Sequence, residues 1–186
     1  MINGLTYISD FISEEEQSNL IETIDKQPWL LDLKRRTQHY GYKYDYTRKL
    51  IDKSMYVGPI PEWIMPLLNK LIDNKHFKVL SDQVIVNEYL PGQGIGRHVD
   101  CTTCFDDTIA SLSLGSTCAM DFESLKNSRK GTMMLAPRSL LVLTDEARYD
   151  WMHSIPARKE DSQGNDVLSR SRRISLTFRK VKLNDN

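Results

Sequence analysis

The sequence predicts a mainly β fold, a double-sheet jelly roll (double-stranded β-helix) with helices at its N-terminal side. Two observations carry this. From Gln83 onward the chain breaks into short β-rich runs, QVIVNEYL, TIASLSL, CAMDF, GTMMLA, SLLVLT, WMHSI and RRISLTF, separated by Gly, Pro, Asp and Ser. No helical pattern lies between them, which argues for packed antiparallel sheets and against a parallel sheet with crossover helices. The chain has 186 residues, 40% of them apolar, enough to bury the core of one domain spanning 1–186.

Ahead of the strands, Ser13-Glu14-Glu15-Glu16 precedes Leu20, Ile21 and Ile24. Ser13 as N-cap with Glu16 three residues on is a capping box, opening a helix that runs to about Lys26 and ends before Pro28. A second helix is expected from Pro61 or Glu62 to about Asp73, on Ile64, Leu67, Leu68, Leu71 and Ile72, with Pro66 awkwardly inside it. The jelly-roll core is expected over about 83–182. QGNDVLSRSR, from Gln163 to Arg172, reads as a polar connection between two strands.

Lys plus Arg equals Asp plus Glu at 25 each, so global charge gives no attraction to nucleic acid, and any such surface must be local. There is no apolar run of membrane-spanning length and no signal-peptide pattern at MINGLTYISDFISEEE, from which a soluble, intracellular, cytoplasmic protein is expected. Cys101, Cys104 and Cys118 form an odd set that implies no disulfide framework and fits a reducing compartment. A zinc reading of Cys101-Thr102-Thr103-Cys104 lacks its fourth ligand.

The chemistry gathers around NEYLPGQGIGRHVD, Asn87 to Asp100. Side chains two apart in an extended segment project to one side, so His98 and Asp100 reach the same point. Two histidines and a carboxylate on one face of an iron ion leave positions open for reactants, and His153 in WMHSI is the third candidate. On RRISLTFR, Arg173, Ser175, Thr177 and Arg179 share one face, with an arginine at each end to grip carboxylates. The competing reading of that ladder is a solvated sheet face. Asn87 and Tyr89 share a face of the strand leading into the glycine loop, which Pro91, Gly92, Gly94 and Gly96 turn.

With Asn87-Glu88-Tyr89, His98-Val99-Asp100, His153 and Arg173-Ile174-Ser175-Leu176-Thr177-Phe178-Arg179 in this order and spacing, the chain resembles the AlkB family of Fe(II)- and 2-oxoglutarate-dependent dioxygenases. The likeness extends through SLSLGSTCAMDF, PRSLLVLTDEARYDWMHSI and RRISLTFRKV and back to RRTQHYGYKYDY, and is nearest to the branch that hydroxylates a wobble-uridine modification in tRNA. Ser175 stands where the bacterial prototype has Asn. The resemblance implies that His98, Asp100 and His153 hold Fe(II). It implies that Arg173, Tyr89 and Ser175 bind the distal carboxylate of 2-oxoglutarate, and Arg179 and Asn87 the carboxylate beside the keto group. Dioxygen is the second cosubstrate.

The resemblance also points to a substrate lid over about 34–49, KRRTQHYGYKYDYTRK, where six basic residues interleave with His39, Tyr40, Tyr42, Tyr44 and Tyr46. Arg35, Arg36, His39, Tyr40 and Tyr42 are expected to contact phosphates and an extruded base, with Cys101 and Thr102 lining the entrance. The alternative is a hairpin with cross-strand tyrosine packing. A second basic group, Arg158, Lys159, Arg170, Arg172, Arg173, Arg179, Lys180 and Lys182, partly overlaps the cosubstrate arginines, and its outward members offer a phosphate track or solvated side chains. The expected activity of this monomer is oxidative demethylation of alkylated DNA or RNA bases. The alternatives are hydroxylation of a tRNA wobble uridine, a protein or small-molecule hydroxylase, and a β-sandwich binding module without turnover.

Overall fold

A computed structural model describes residues 2–31, 33–45 and 47–183. Its elements in chain order are β1 (Leu5–Ile8), α1 (Glu14–Asp25), β2 (Thr37–Tyr42), β3 (Tyr56–Gly58), α2 (Met65–Asp73), β4 (Gln83–Tyr89), β5 (Ile95–His98), β6 (Phe105–Gly115), β7 (Cys118–Ser124), β8 (Lys130–Leu135), β9 (Leu140–Leu143), α3 (Asp145–Tyr149), β10 (Trp151–Ile155), β11 (Glu160–Gln163), β12 (Asp166–Ser169) and β13 (Arg173–Val181). The described strands form a seven-stranded sheet, β1-β9-β6-β13-β4-β2-β3, a four-stranded sheet, β5-β10-β7-β8, and the β11-β12 hairpin. The two larger sheets are the halves of the jelly roll.

Two cores follow from strand alternation. Val84, Val86, Leu112, Leu114, Leu176 and Phe178 project from one face of the large sheet onto Leu20 and Ile24 of α1 and Leu67, Leu68 and Leu71 of α2. The other face, with Ile109, Leu141 and Leu143, meets Cys118, Met120, Phe122 and Trp151 of the small sheet. Burying each large side chain contributes roughly 1.5–3 kcal/mol. Ile109, Leu141 and Leu143 of this second core also line a cavity that residues of both sheets share.

The capping box forms as its sequence implies: Glu16 N–H donates to Ser13 Oγ at 3.0 Å and Ser13 N–H to Glu16 Oε2 at 2.7 Å. The second helix starts later than expected, at Met65, which places Pro66 in the first turn, where no N–H is required of it. The stretch read as a polar connection is instead the β11-β12 hairpin, turning at Gly164 (φ +62°). Its anchor is a buried ion cluster. Asp161 accepts from Arg170 at 2.6 and 2.7 Å, from Arg158 at 2.7 Å and from Ala119 N–H at 2.9 Å.

Candidate active site

β5 and β10 are antiparallel neighbours with His98 directly opposite His153, which places both imidazoles on one face with ring centroids 4.4 Å apart. Asp100 lies two residues beyond His98 and is 7% exposed. Its carboxylate stands 3.5 Å from His153 Nε2, and one ligand atom from each of the three residues falls within 4.8 Å of the others. Among the described residues this is the one such grouping of three or more His, Cys, Asp or Glu. His98 Nδ1 lies 2.8 Å from the Gly96 carbonyl, which can only accept, so Nδ1 carries the proton and Nε2 offers its lone pair. Gly94 permits this arrangement: a Cβ there would lie 2.1 Å from the Ile155 carbonyl, so only glycine lets the loop press onto β10.

The charge states suit a cation. Burial alone would raise the Asp100 carboxyl, but Arg179, with His153 and His98, outweighs it and holds Asp100 well below the usual carboxylate range. Burial pushes His153 down to about 4 against the pull of Asp100. An ionised carboxylate and a neutral imidazole are the forms that ligate metal.

A cavity of about 660 Å³ opens on this triplet, and Asn87, Tyr89, Arg179, Arg35, Cys101 and Thr102 also line it. The polar ladder of β13 faces inward, not into solvent. Arg179 pairs with Asp100 at 2.5 Å. Ser175 Oγ lies 2.9 Å from Ser111 Oγ, and Ser111 reaches the cavity wall. Arg173, 2% exposed, sits behind Tyr89, with its guanidinium 5.5 Å from that ring. Its Nη2 donates to Ser113 Oγ at 2.8 Å, while Nε and Nη1 are buried without a partner and no carboxylate among the described residues pairs with it. A buried guanidinium left without an acid fits a bound carboxylate. The donor set and this orphaned cation together fit Fe(II) and 2-oxoglutarate.

Other expected contacts lie elsewhere. Arg36 forms an ion pair with Glu88 and stacks on Trp29 at 4.4 Å. Tyr40 points to the helix side, edge-on to Trp63 at 5.5 Å, with its hydroxyl bonded to Gln38. Tyr42 packs on Tyr56 at 5.2 Å, and His39 pairs in register with Ile85 inside the sheet. None of these four lines the cavity: Arg36 is held by Glu88, and His39, Tyr40 and Tyr42 lie on β2, a strand of the large sheet. Tyr44 does reach the wall; Tyr46 lies outside the described residues. Of the second basic group, Arg158 and Arg170 are tied to Asp161, Arg172 to Asp25 and Glu88, and Lys180 to Asp82, so most of these charges are neutralised and do not form a track.

Two features escaped the sequence reading. Cys101 and Cys104 are joined in a disulfide where none was expected, since the turn brings their Cα atoms to 5.3 Å. Their sulfurs lie 3.6 and 3.5 Å from the Lys49 carbonyl. Cys118 is free and buried on β7, so these cysteines form no zinc site. The second feature is Arg148 in α3, also 2% exposed, whose guanidinium donates to the carbonyls of Asp100 (2.8 Å), Cys101 (3.0 Å), Asp106 (3.3 Å) and Phe105 (3.5 Å). It ties the loop that follows Asp100 to the segment that leads into His153. The one visible signal was an arginine between two core strands, which marks burial but not its target.

The 2OG-Fe(II) oxygenase superfamily model matches residues 30–179. The chain is 36% identical to the "Alkylated DNA repair protein ALKBH8 homolog" of Arabidopsis thaliana, over 97% of this chain and 59% of that protein. It is 37% identical to the "tRNA (carboxymethyluridine(34)-5-O)-methyltransferase alkbh8" of Xenopus tropicalis, over 96% of this chain but 32% of that protein. The chain therefore spans between a third and three fifths of these relatives. Among solved structures, that of OsALKBH1 superposes with a TM-score of 0.69 over 97% of this chain and 99% of that one, at 17% identity, a likeness of fold. A carboxylate between two opposed histidines in a jelly roll, on a chain so matched, places this protein in the 2OG-Fe(II) oxygenase superfamily, as a member of the AlkB family close to its ALKBH8 branch.

Proposed function

We propose that this chain is a single-domain dioxygenase that oxidises a base in nucleic acid, with demethylation of alkylated DNA or RNA as its reaction. The observation that supports it best is the 660 Å³ cavity holding His98, Asp100 and His153 at one end. His98, Asp100 and His153 would hold Fe(II). With dioxygen and 2-oxoglutarate, iron held there would supply the oxidising chemistry that converts 2-oxoglutarate to succinate and CO2 and puts one oxygen atom into a substrate C–H bond. On an N-methyl group the product is a hemiaminal that releases formaldehyde.

The chain's own residues bind, orient and exclude water. Arg173 takes the distal carboxylate, with Tyr89 walling its end and Ser175 held by Ser111. Arg179 pairs with Asp100 and would also hold the other carboxylate, so that one guanidinium would serve both. Asn87 contributes amide donors there. Tyr44 and Lys49 on the cavity wall suit a base and its flanking phosphate, with Cys101 and Thr102 beside them. The segment over about 34–49 forms one side of this entrance.

A second reading, hydroxylation of a wobble-uridine modification in tRNA, is supported by the 37% identity to the frog protein. Purified Fe(II)-loaded chain incubated with methylated single-stranded DNA, methylated RNA and bulk tRNA, followed by succinate assay and nucleoside mass spectrometry, separates the two. Demethylated base with formaldehyde supports the first, and a stable hydroxylated uridine supports the second. Succinate unaffected by any nucleic acid refutes both.

A further inference from the structure

Arg35 opens the basic, aromatic segment that reads as a substrate lid, yet it does not behave as a surface cation. It is 9% exposed, and its Nε–H donates to Asn87 Oδ1 at 2.8 Å. Its guanidinium lies 5.7 Å from the centroid of the Tyr89 ring, the ring that Arg173 approaches to 5.5 Å. Arg35, Asn87 and Tyr89 all line the cavity. The contact is fixed by register: Thr37 of β2 pairs with Asn87 of β4, and Glu88 N–H bonds to the Arg36 carbonyl, so the chain enters β2 with Arg35 beside Asn87.

This contact decides which way the Asn87 amide faces. A guanidinium has donors only, so the atom of Asn87 that it meets must be the carbonyl oxygen. The NH2 group is thereby turned away from Arg35, on a side chain that lines the cavity. Turned the other way round, the amide would set N–H against N–H beside Arg35 and present an oxygen to any anion in the cavity. The same side chain thus switches from donor to acceptor with one rotation.

We propose that Arg35 is a positioning residue for the cosubstrate: it locks Asn87 with its amide donors toward a carboxylate of 2-oxoglutarate and so couples the 34–49 segment to cosubstrate binding. The inference rests on the 2-oxoglutarate reading and refines it. A bound cosubstrate holds Asn87, Asn87 holds Arg35, and Arg35 holds the start of the segment that borders the entrance. Cosubstrate binding and the order of the surface at the entrance are therefore coupled. This role is distinct from a direct phosphate or base contact.

The test titrates 2-oxoglutarate and its unreactive analogue N-oxalylglycine into Mn(II)-loaded chain by calorimetry, for wild type, Arg35→Met, Arg35→Lys and Asn87→Asp, and follows hydrogen exchange of residues 33–45. In Arg35→Met the dissociation constant should rise at least about tenfold, the loss of one hydrogen bond to a charged group. Lysine, which also only donates, should restore part of it. Asn87→Asp keeps a partner for Arg35 but has no amide donors, and should weaken binding at least as much. N-oxalylglycine should slow exchange over 33–45 in wild type and not in Arg35→Met. Unchanged affinity in Arg35→Met with weakened nucleic-acid binding would make Arg35 a substrate contact and overturn the proposal. If Arg35→Met fails to fold, unchanged affinity in Asn87→Asp overturns it equally. No binding of either ligand by wild type removes the 2-oxoglutarate reading itself, and this inference with it.

Discussion

Replacing Arg173 by methionine should make the free protein more stable and at the same time unable to hold its cosubstrate. The guanidinium is 2% exposed, bonds Ser113 Oγ once, faces the Tyr89 ring, and leaves two nitrogens without partners. Burying such a charge costs roughly 5 kcal/mol after relaxation, of which the Ser113 bond and the ring recover about 3–4 kcal/mol. Methionine fills similar volume without charge, so Arg173→Met should stabilise the ligand-free fold by about 1–2 kcal/mol, or about 3–6 °C in Tm for a chain of this size. With 2-oxoglutarate at 100 times its dissociation constant, wild type gains about 2.7 kcal/mol from binding, and the variant, lacking the bidentate partner, gains almost nothing. Thermal unfolding of both proteins with Mn(II), with and without 2-oxoglutarate, reads both effects in one experiment. A variant less stable than wild type without ligand, and still shifted upward by 2-oxoglutarate, would show that Arg173 is a structural cation and that the carboxylate binds elsewhere.

Arg148→Met strands four carbonyls around Asp100 and its following loop, so Co(II) or Mn(II) affinity should fall by about 10- to 100-fold, the range for residues that orient metal ligands, and this is measurable by Co(II) absorbance. Asp161→Ala leaves Arg170 buried and unpaired and should lower stability by about 3–5 kcal/mol in urea unfolding, without changing metal affinity. The wild-type Asp161 carboxyl is lowered to about 2 from an unfolded 3.8: burial raises it, but Arg170, the Ala119 N–H and Arg158 outweigh that. Its stabilisation, roughly 2 kcal/mol, is complete above pH 4 and should be lost as pH falls from about 4 to 2. Tyr40→Ala removes packing against Trp63 and should cost about 2 kcal/mol of stability, lowering cosubstrate turnover and base oxidation together; selective loss of base oxidation would return Tyr40 to the substrate surface.

Short-range physics made part of this molecule readable. The capping box at Ser13, the helical spacing of α2 and the alternation of β4, β6 and β13 each follow from neighbours within a few residues. The same holds for His98 and Asp100, since a spacing of two in an extended chain puts both on one side whatever the fold. The place of Pro66 and the β11-β12 hairpin are not legible locally, because a helix start and a short two-stranded turn are settled by what packs behind them. The Cys101–Cys104 bond is not legible in the cysteine count, which carries no information about how sharply the chain turns there.

By itself, then, the sequence determined the strand-rich class, the order of the ligand and arginine motifs, and the shared side of residues two apart. Only the tertiary structure decided which side faces inward, that His153 lies opposite His98, and that Arg148 holds the Asp100 loop. It also placed Arg35, an expected substrate contact, in a hydrogen bond with Asn87, 52 residues away. The physical reason is range: a dihedral pattern is fixed by adjacent residues, whereas the direction in which a buried charge is satisfied depends on whichever distant backbone or amide the folded sheets bring beside it.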